Sequence, residues 1–382
     1  MDFALTEEQQ AIFDMAHDFG AEKIAPFAQQ WEKDETIPRS ILEEAGELGL
    51  AAIYVSEASG GSGLSRTDAA LIFEALSMAC PSVAAFISIH NMCAWMIDSF
   101  GSVELKDKYL PDMVTFKKVA SYCLTEPGSG SDAAALRTKC ERTNEGFKLN
   151  GTKAFISGGN YSDLYIVMSR TGEDGPKGIS SVVIDSDAPG LSFGGFEDKM
   201  GWRAQPTAQV QMDDCTIPAE NILGEEGRGF SYAMAGLDGG RLNISACSLG
   251  AAQTALNKAV AYAGERKAFG KPIDQLQSMQ FKLADMEIEL QAARVFLRQA
   301  AWKYDQKSPD TTKHCAMAKR FVTDTAFNVA NDALQVHGGY GYLADYGVEK
   351  IVRDIRVHQI LEGTNEVMRM ITARGLLAER DN

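Results

Sequence analysis

The hydrophobic period of this chain changes twice, and those two changes restrict its fold more than any other feature. From Thr6 to about Lys118 apolar residues recur at helical spacing, as at Ile12, Met15 and Phe19, behind Thr6 and Gln9 placed as a capping box. Pro38, Pro81 and Pro111 punctuate this stretch, and Gly60-Gly61-Ser62-Gly63 reads as an exposed turn. Between about Val119 and Gly229 short alternating or β-branched runs take over: Phe147-Lys148-Leu149, Leu164-Tyr165-Ile166-Val167-Met168, Ser181-Val182-Val183-Ile184 and Ala208-Gln209-Val210-Gln211-Met212. They are separated by Asn150-Gly151, Glu173-Asp174-Gly175-Pro176 and Ala188-Pro189-Gly190, and Asn150-Gly151 carries a hairpin signal. From Phe230 onward long helices return, over roughly 241–266, 278–304 and 311–337. In the second, Met279, Leu283, Met286, Leu290, Ala293 and Leu297 lay one apolar stripe, the pattern of an antiparallel bundle. The expected fold is α+β and mostly α: a helical domain over 1–118, a β-domain over 119–229 and a helical bundle over 230–382.

A chain of 382 residues with 45% apolar content can bury a large core. Its formal charge of −15, from 37 Lys+Arg against 52 Asp+Glu, argues against nucleic acid as a partner, so an anionic ligand must be met by a local basic cluster. The seven cysteines contain no C-x-x-C pair and fit reduced, mostly buried thiols of a cytosol-like compartment. The most apolar segment, residues 84–97, holds His90 and Asn91 and falls short of the roughly 20 residues a bilayer span takes, so no membrane partner is expected. The start, Met1-Asp2-Phe3-Ala4-Leu5-Thr6-Glu7-Glu8-Gln9, lacks the pattern of a signal or transit peptide. The expected location is cytoplasmic, or the mitochondrial matrix if a transit peptide has been removed.

One carboxylate stands out. Glu362 sits in His358-Gln359-Ile360-Leu361-Glu362-Gly363-Thr364-Asn365-Glu366, between two expected helices, with apolar Ile360 and Leu361 beside it. Desolvation there would raise its pKa and strengthen it as a base toward a weakly acidic C–H bond. Gly128-Ser129-Gly130-Ser131-Asp132-Ala133 and Gly339-Tyr340-Gly341-Tyr342-Leu343-Ala344 imitate a dinucleotide fingerprint, but neither has the strand, helix and distant acid of a βαβ unit. Thr125, Ser129 and Ser131 with the loop amides form either a cradle for phosphate or flavin oxygens or an ordinary polar turn. Ala246-Cys247-Ser248-Leu249-Gly250 misses the nucleophile-elbow pattern of serine hydrolases. His358 and Glu362 are four apart without further grouped ligands, and His17, His90, His314 and His337 are scattered, so no metal is expected. Arg266, Lys267 and Phe269 either complement a helix end or grip a pyrophosphate.

Five segments together resemble the acyl-CoA dehydrogenase family of flavoenzymes, in family order and across essentially the whole chain. They are Tyr122-Cys123-Leu124-Thr125-Glu126-Pro127-Gly128-Ser129-Gly130-Ser131-Asp132, Asn150-Gly151-x-Lys153-x-Phe155-Ile156-Ser157, Glu265-Arg266-Lys267-Ala268-Phe269-Gly270, Gln335-Val336-His337-Gly338-Gly339-Tyr340-Gly341 and Leu361-Glu362-Gly363-Thr364. The resemblance implies a middle β-barrel between an N-terminal helical domain and a C-terminal four-helix bundle. It implies FAD as cofactor, a homotetramer built as a dimer of dimers, an acyl-CoA substrate and electron-transfer flavoprotein as electron acceptor.

Residue by residue, Tyr122, Leu124, Thr125, Gly130 and Ser131 would hold the flavin and its linker, with Phe155 and Ser157 at its ring face and edge. Phe155 stands where relatives often carry Trp, and Ala268 replaces a hydroxyl residue of some relatives. Arg266, Phe269, Gln277, Gln335, Gly338 and Gly339 would reach the cofactor of a neighbouring subunit, and Thr364 and Glu366 would also touch FAD. Glu362 matches the catalytic base. Some branches take the base from the position of Gly240, which here offers none. Asp238 and Arg241 would bind the CoA portion, Ser131 would lie near its pantetheine, and Leu361 and Gly363 would border the acyl group. Leu361 stands where straight-chain enzymes commonly carry Tyr, leaving room for a methyl branch. That and residues 86–101 and 357–363 point to isobutyryl-CoA, a valine-degradation substrate, with butyryl-CoA, 2-methylbutyryl-CoA or an oxygen-using oxidase as alternatives.

Overall fold

The protein is described by a computed structural model over residues 4–380; Met1, Asp2 and Phe3 of the N-terminal segment read above lie outside the described residues. Among the described residues six α-helices come first: α1 (Glu7–Phe19), α2 (Ala28–Asp34), α3 (Arg39–Glu47), α4 (Arg66–Ala79), α5 (Pro81–Phe100) and α6 (Val103–Met113). The capping box forms: Thr6 Oγ1 accepts from the Gln9 N–H at 3.1 Å, and Gln9 Oε1 accepts from the Thr6 N–H at 3.3 Å. Pro38 and Pro81 start helices, as a missing N–H and a fixed φ allow, whereas Pro111 lies inside α6.

α5 is longer than the sequence pattern predicts. Its 20 residues would by length and composition suit a bilayer, yet 72% of the apolar window is buried inside the protein. Its polar residues serve as core fasteners. Asn91 accepts from the Ile53 N–H at 2.7 Å and donates to Leu50 O at 2.8 Å, while His90 bridges Met113 O and the Ala120 N–H. A buried amide left without partners would cost about 1–3 kcal/mol, so these contacts fix how the helix meets its neighbours.

The middle holds β1 (Ala120–Cys123), β2 (Lys139–Thr143), β3 (Gly146–Ser157), β4 (Leu164–Arg170), β5 (Ile179–Asp185), β6 (Leu191–Phe193), β7 (Thr207–Ile217) and β8 (Ile222–Leu223). They form one sheet in the order β6-β7-β3-β2-β4-β5-β8, with β1 parallel to β4. One face encloses its own core of Phe147, Leu149, Ile156, Tyr165, Val167, Val182, Ile184 and Val210. The barrel implied by the resemblance is this sheet, whose ladder ends at β6 and β8 are not paired with each other.

The hairpin expected at Asn150-Gly151 is not a hairpin. β3 runs straight through it, and the dipeptide forms a bulge against β7, where Asn150 Oδ1 accepts from the Asp214 N–H at 2.9 Å. Gly151 has φ +153° and a Cβ there would lie 2.5 Å from Thr138 Oγ1, so glycine is required by close packing. The β2–β3 turn falls instead at Asn144-Glu145, between the paired Thr143 and Gly146.

Helices return as α7 (Gly229–Glu265), α8 (Gln277–Asp305), α9 (Thr311–His337), α10 (Val348–Arg356) and α11 (Asn365–Arg380), with the small hairpin β9 (Lys267–Ala268) and β10 (Lys271–Pro272) between α7 and α8. α7 begins twelve residues before the expected 241. Its early glycines look like breakers in sequence, but they let neighbours approach: a Cβ at Gly239 would lie 2.7 Å from Arg66, and at Gly250 1.9 Å from Glu74 O. α7 packs on α8 and α9 and also on α4 and α5, so one continuous core joins both helical parts. The β-domain is tied to α10 by Arg353, which donates to Met200 O at 3.0 Å, and by the Trp202 N–H, which donates to Asp354 at 2.6 Å. All seven cysteines are free and buried.

Candidate active site

Where the three parts meet there is a cavity of about 450 Å³ lined by residues of α5, β1, the 124–134 loop, β3, α7, α11 and the turn at Glu362. That turn owes its shape to backbone geometry that sequence patterns do not announce. Glu362 has φ 57° and Gly363 φ 88°, and a non-glycine residue held in the left-handed region is uncommon. Arg241 Nε donates to Glu362 O at 3.2 Å, and Lys319 Nζ donates to Gly363 O at 2.8 Å and to Asn365 Oδ1 at 2.9 Å. The Glu362 N–H donates to no acceptor among the described residues, which leaves it open toward a ligand.

One oxygen of the carboxylate is shut away from water, while the residue itself lines the cavity. Oε2 is buried and has no hydrogen-bond partner among the described residues. It packs on the bare backbone of Gly240, where a Cβ would lie 2.6 Å from Oε2. Burial pushes the carboxyl up from its ordinary 4.5 to about 7, with Arg241 and Lys319 drawing it part of the way back. Such a group is ionised in an appreciable fraction near neutrality and remains a strong base.

The desolvation has a different source from the one expected. Ile360 is 50% exposed, and Leu361 alone of that pair lines the cavity. Trp202, Tyr122, Met92, Leu237 and Phe230 are among the other lining groups. Trp202 is held by His358, whose imidazole burial pushes down to about 3 and keeps neutral. Trp202 Nε1 donates to His358 Nε2 at 3.2 Å, so the ring proton sits on Nδ1 and donates to Ser248 Oγ at 2.7 Å. Both ring nitrogens are engaged, and His358 is a structural fastener.

The Gly-Ser loop is suspended from a buried ion pair. Lys153 Nζ lies 2.8 Å from Glu126 Oε1 and donates to Leu124 O at 3.0 Å, while the Glu126 carboxylate accepts from the Arg137 and Thr138 N–H groups. This places Tyr122, Leu124, Thr125, Gly130 and Ser131 in the cavity wall. Ser129, expected in the same cradle, turns away: its Oγ donates to Asp132 O and it lines a separate recess. Phe155 and Ser157 also border the cavity. Phe155 has φ 58° at a bulge of β3 and is 69% exposed, and Ser157 Oγ accepts from Gln205 Nε2 at 2.6 Å.

Other expected residues lie elsewhere. Arg266, Gly338 and Gly339 line a second recess of about 370 Å³ that shares no residue with the first. Phe269, at 91% exposed, and the exposed Gln277 and Gln335 face solvent. Asp238 does not line the cavity; it accepts from Arg241 Nη1 at 2.6 Å and from Thr312 Oγ1, and so orients Arg241. Gly363 lines it, whereas Thr364 accepts from the Val367 N–H at the start of α11 and the exposed Glu366 pairs with Arg369 at 3.1 Å. Sequence reading missed Lys319 and also Arg374, an exposed cation that shares one face of α11 with Val367 and Ile371 in the cavity wall. Their i, i+4, i+7 spacing after Glu362 was a usable signal.

Three family descriptions match in order: acyl-CoA dehydrogenase N-terminal domain over residues 6–117, middle domain over 121–215 and C-terminal domain over 227–377. The chain belongs to the acyl-CoA dehydrogenase family. It is 53% identical to the mitochondrial isobutyryl-CoA dehydrogenase of Dictyostelium discoideum over 373 residues, 97% of this chain and 90% of the relative. It is 51% identical to that of Bos taurus over 375 residues, 98% and 90%. Among solved structures, one described as the electron transferring flavoprotein of Acidaminococcus fermentans matches with a TM-score of 0.96 at 41% identity, covering 99% of this chain and 100% of that one. An FAD complex of PigA matches with a TM-score of 0.95 at 31% identity, 99% and 100%.

The protein is therefore an acyl-CoA dehydrogenase, a flavin-dependent oxidoreductase that uses FAD. The cavity suits that cofactor: Tyr122 Oη in its wall is buried without a partner among the described residues, and Gly130 has open space where a side chain would project. Unsatisfied buried polar atoms beside an open cavity are the signature of a polar ligand's place.

Proposed function

We propose that this acyl-CoA dehydrogenase converts isobutyryl-CoA to methacrylyl-CoA, with Glu362 removing the α-proton, and that electron-transfer flavoprotein receives the electrons. The observation that carries the reading is the buried, unpartnered Oε2 of Glu362 with its carboxyl raised to about 7. FAD, when bound, supplies the acceptor for the β-hydride. Tyr122, Leu124, Thr125, Gly130, Ser131, Phe155 and Ser157 are the residues that would hold it in this chain.

A thioester α-proton is far too weak an acid for a carboxylate acting alone. The open Glu362 N–H is suited to polarise the thioester carbonyl, as in an oxyanion hole. Arg241 holds Glu362 O, in the next peptide along, and so helps fix the left-handed turn on which that N–H is presented. Glu362 then takes the proton and is left neutral, a form its desolvated setting favours.

Leu361 lines the cavity next to the base and is the residue we assign to branch recognition. Leu361→Tyr is expected to lower kcat/KM for isobutyryl-CoA relative to butyryl-CoA by about 10–100-fold, the scale on which an apolar pocket distinguishes a methyl group. Anaerobic titration with a panel of C4 and C5 acyl-CoAs, following the flavin band, tests the substrate. Bleaching by isobutyryl-CoA ahead of butyryl-CoA and 2-methylbutyryl-CoA supports the reading, and the reverse order overturns it. Hydrogen peroxide formation under air would mark an oxidase instead.

The homotetramer belongs to the same proposal. Phe281, Ile288, Val295 and Trp302 stand exposed at seven-residue intervals along α8, a stripe suited to a second copy of this chain. Arg266, Gln277, Gln335, Gly338, Gly339 and Phe269, remote from the first cavity, would then serve the cofactor of a neighbouring subunit.

A further inference from the structure

We infer that Lys319 is a positioning residue for the base: its ammonium grips the turn that carries Glu362 and holds the carboxylate ready to act. The inference rests on Glu362 being the base. Lys319 has no exposed surface, and its Nζ bonds Gly363 O at 2.8 Å and Asn365 Oδ1 at 2.9 Å. Asn365 is in turn fixed by Thr323 and by Asp324, to which its Nδ2 donates at 2.6 Å. With Arg241 on Glu362 O, two cations hold consecutive carbonyls of a turn in left-handed backbone.

A fully buried lysine is expensive unless its donors are satisfied, and a merely structural role could be filled by an apolar side chain. Burial lowers the amine to about 7 while the Glu362 carboxylate draws it part of the way back, so each charge favours the other. The charged and titratable groups around the pair are Arg241 of α7, Asp324 of α9, His358 before the turn and Glu366 of α11; Cys93 of α5 and Tyr122 of β1 face Glu362. Of these, Arg241 and Lys319 are the cations that stabilise the ionised carboxylate.

The test compares Lys319→Met with the native holoenzyme. Without the ammonium, Glu362 should ionise at higher pH, so the acid limb of kcat should move up by about one pH unit, the shift a nearby opposite charge produces. At pH 7 kcat should fall about tenfold with KM changed less than threefold, because a smaller fraction of the base is ionised at that pH and its turn is less firmly held. Lys319→Gln, which keeps a donor for Gly363 O, should show the same limb shift with a smaller loss, and it decides the matter if the Met variant does not fold. The infrared band of the protonated carboxyl, identified by its disappearance in Glu362→Gln, should report the same upward shift without turnover. An unmoved limb and an unmoved band in the folded variant would overturn the inference. If Glu362→Gln itself keeps full activity, the base assignment falls instead.

Discussion

Glu362→Gln is expected to leave the protein folded and yellow while slowing flavin bleaching by isobutyryl-CoA by about 10²–10⁴-fold, the range contributed by a general base. The amide has nearly the shape of the acid and fits the space against Gly240. Its backbone keeps the bonds to Arg241 and Lys319, because those bonds use Glu362 O and Gly363 O and not the carboxylate. What disappears is the acceptor for the proton. Substrate binding, followed by the spectral perturbation of the flavin, should therefore survive while reduction does not. Substantial bleaching by the variant would remove the base assignment.

Gly240→Ala should have the second largest effect, and through geometry alone. The new Cβ would lie 2.6 Å from Oε2 and 2.9 Å from Oε1 of Glu362, so the carboxylate must retreat by about 1 Å to reach ordinary contact. A displacement of about that size can cost 10²-fold in rate when the reacting atoms were well placed. Stability should move the other way. Gly240 lies within α7, where Ala is favoured over Gly by about 0.5–1 kcal/mol, and the clashing group is the end of a flexible side chain. The expected variant is thus as heat-resistant as the native protein and retains FAD, but shows kcat lowered by about 10²-fold. A rate within twofold of native would show that the contact between helix and base does not set the base's position.

Much of this architecture was legible in the amino-acid order because long periodic helices and β-branched runs announce themselves. The helix at 311–337 has the ends that its periodicity suggests. Failures came where tertiary contact overrides a local rule. Gly236, Gly239 and Gly240 look like breakers, yet they lie inside a helix because Met96, Arg66 and Glu362 pack onto them. Asn150-Gly151 looks like a turn, yet Asp214 and Thr138 make it a bulge. Glu362 could be singled out from its setting, but the source of its desolvation could not. Lys319 is far away in sequence, and only the fold brings it to the turn. The left-handed backbone at Phe155, Trp202 and Glu362 likewise has no signature in residue type, since each is a side chain that ordinarily avoids it. The placement of Arg266, Phe269, Gln277 and Gln335 away from the cavity follows from the topology of one chain, and the order of segments in the sequence could not separate the two groups in space.

The most direct test of the desolvated base is the pH dependence of the anaerobic bleaching rate with isobutyryl-CoA, measured on both sides of neutrality in single turnover. With Glu362 raised to about 7, the rate should climb through a half-point near pH 7 and level off above it, because the ionised form does the work. A half-point near the ordinary carboxyl value of 4.5, or a rate indifferent to pH across neutrality, would contradict a buried carboxylate as the proton acceptor.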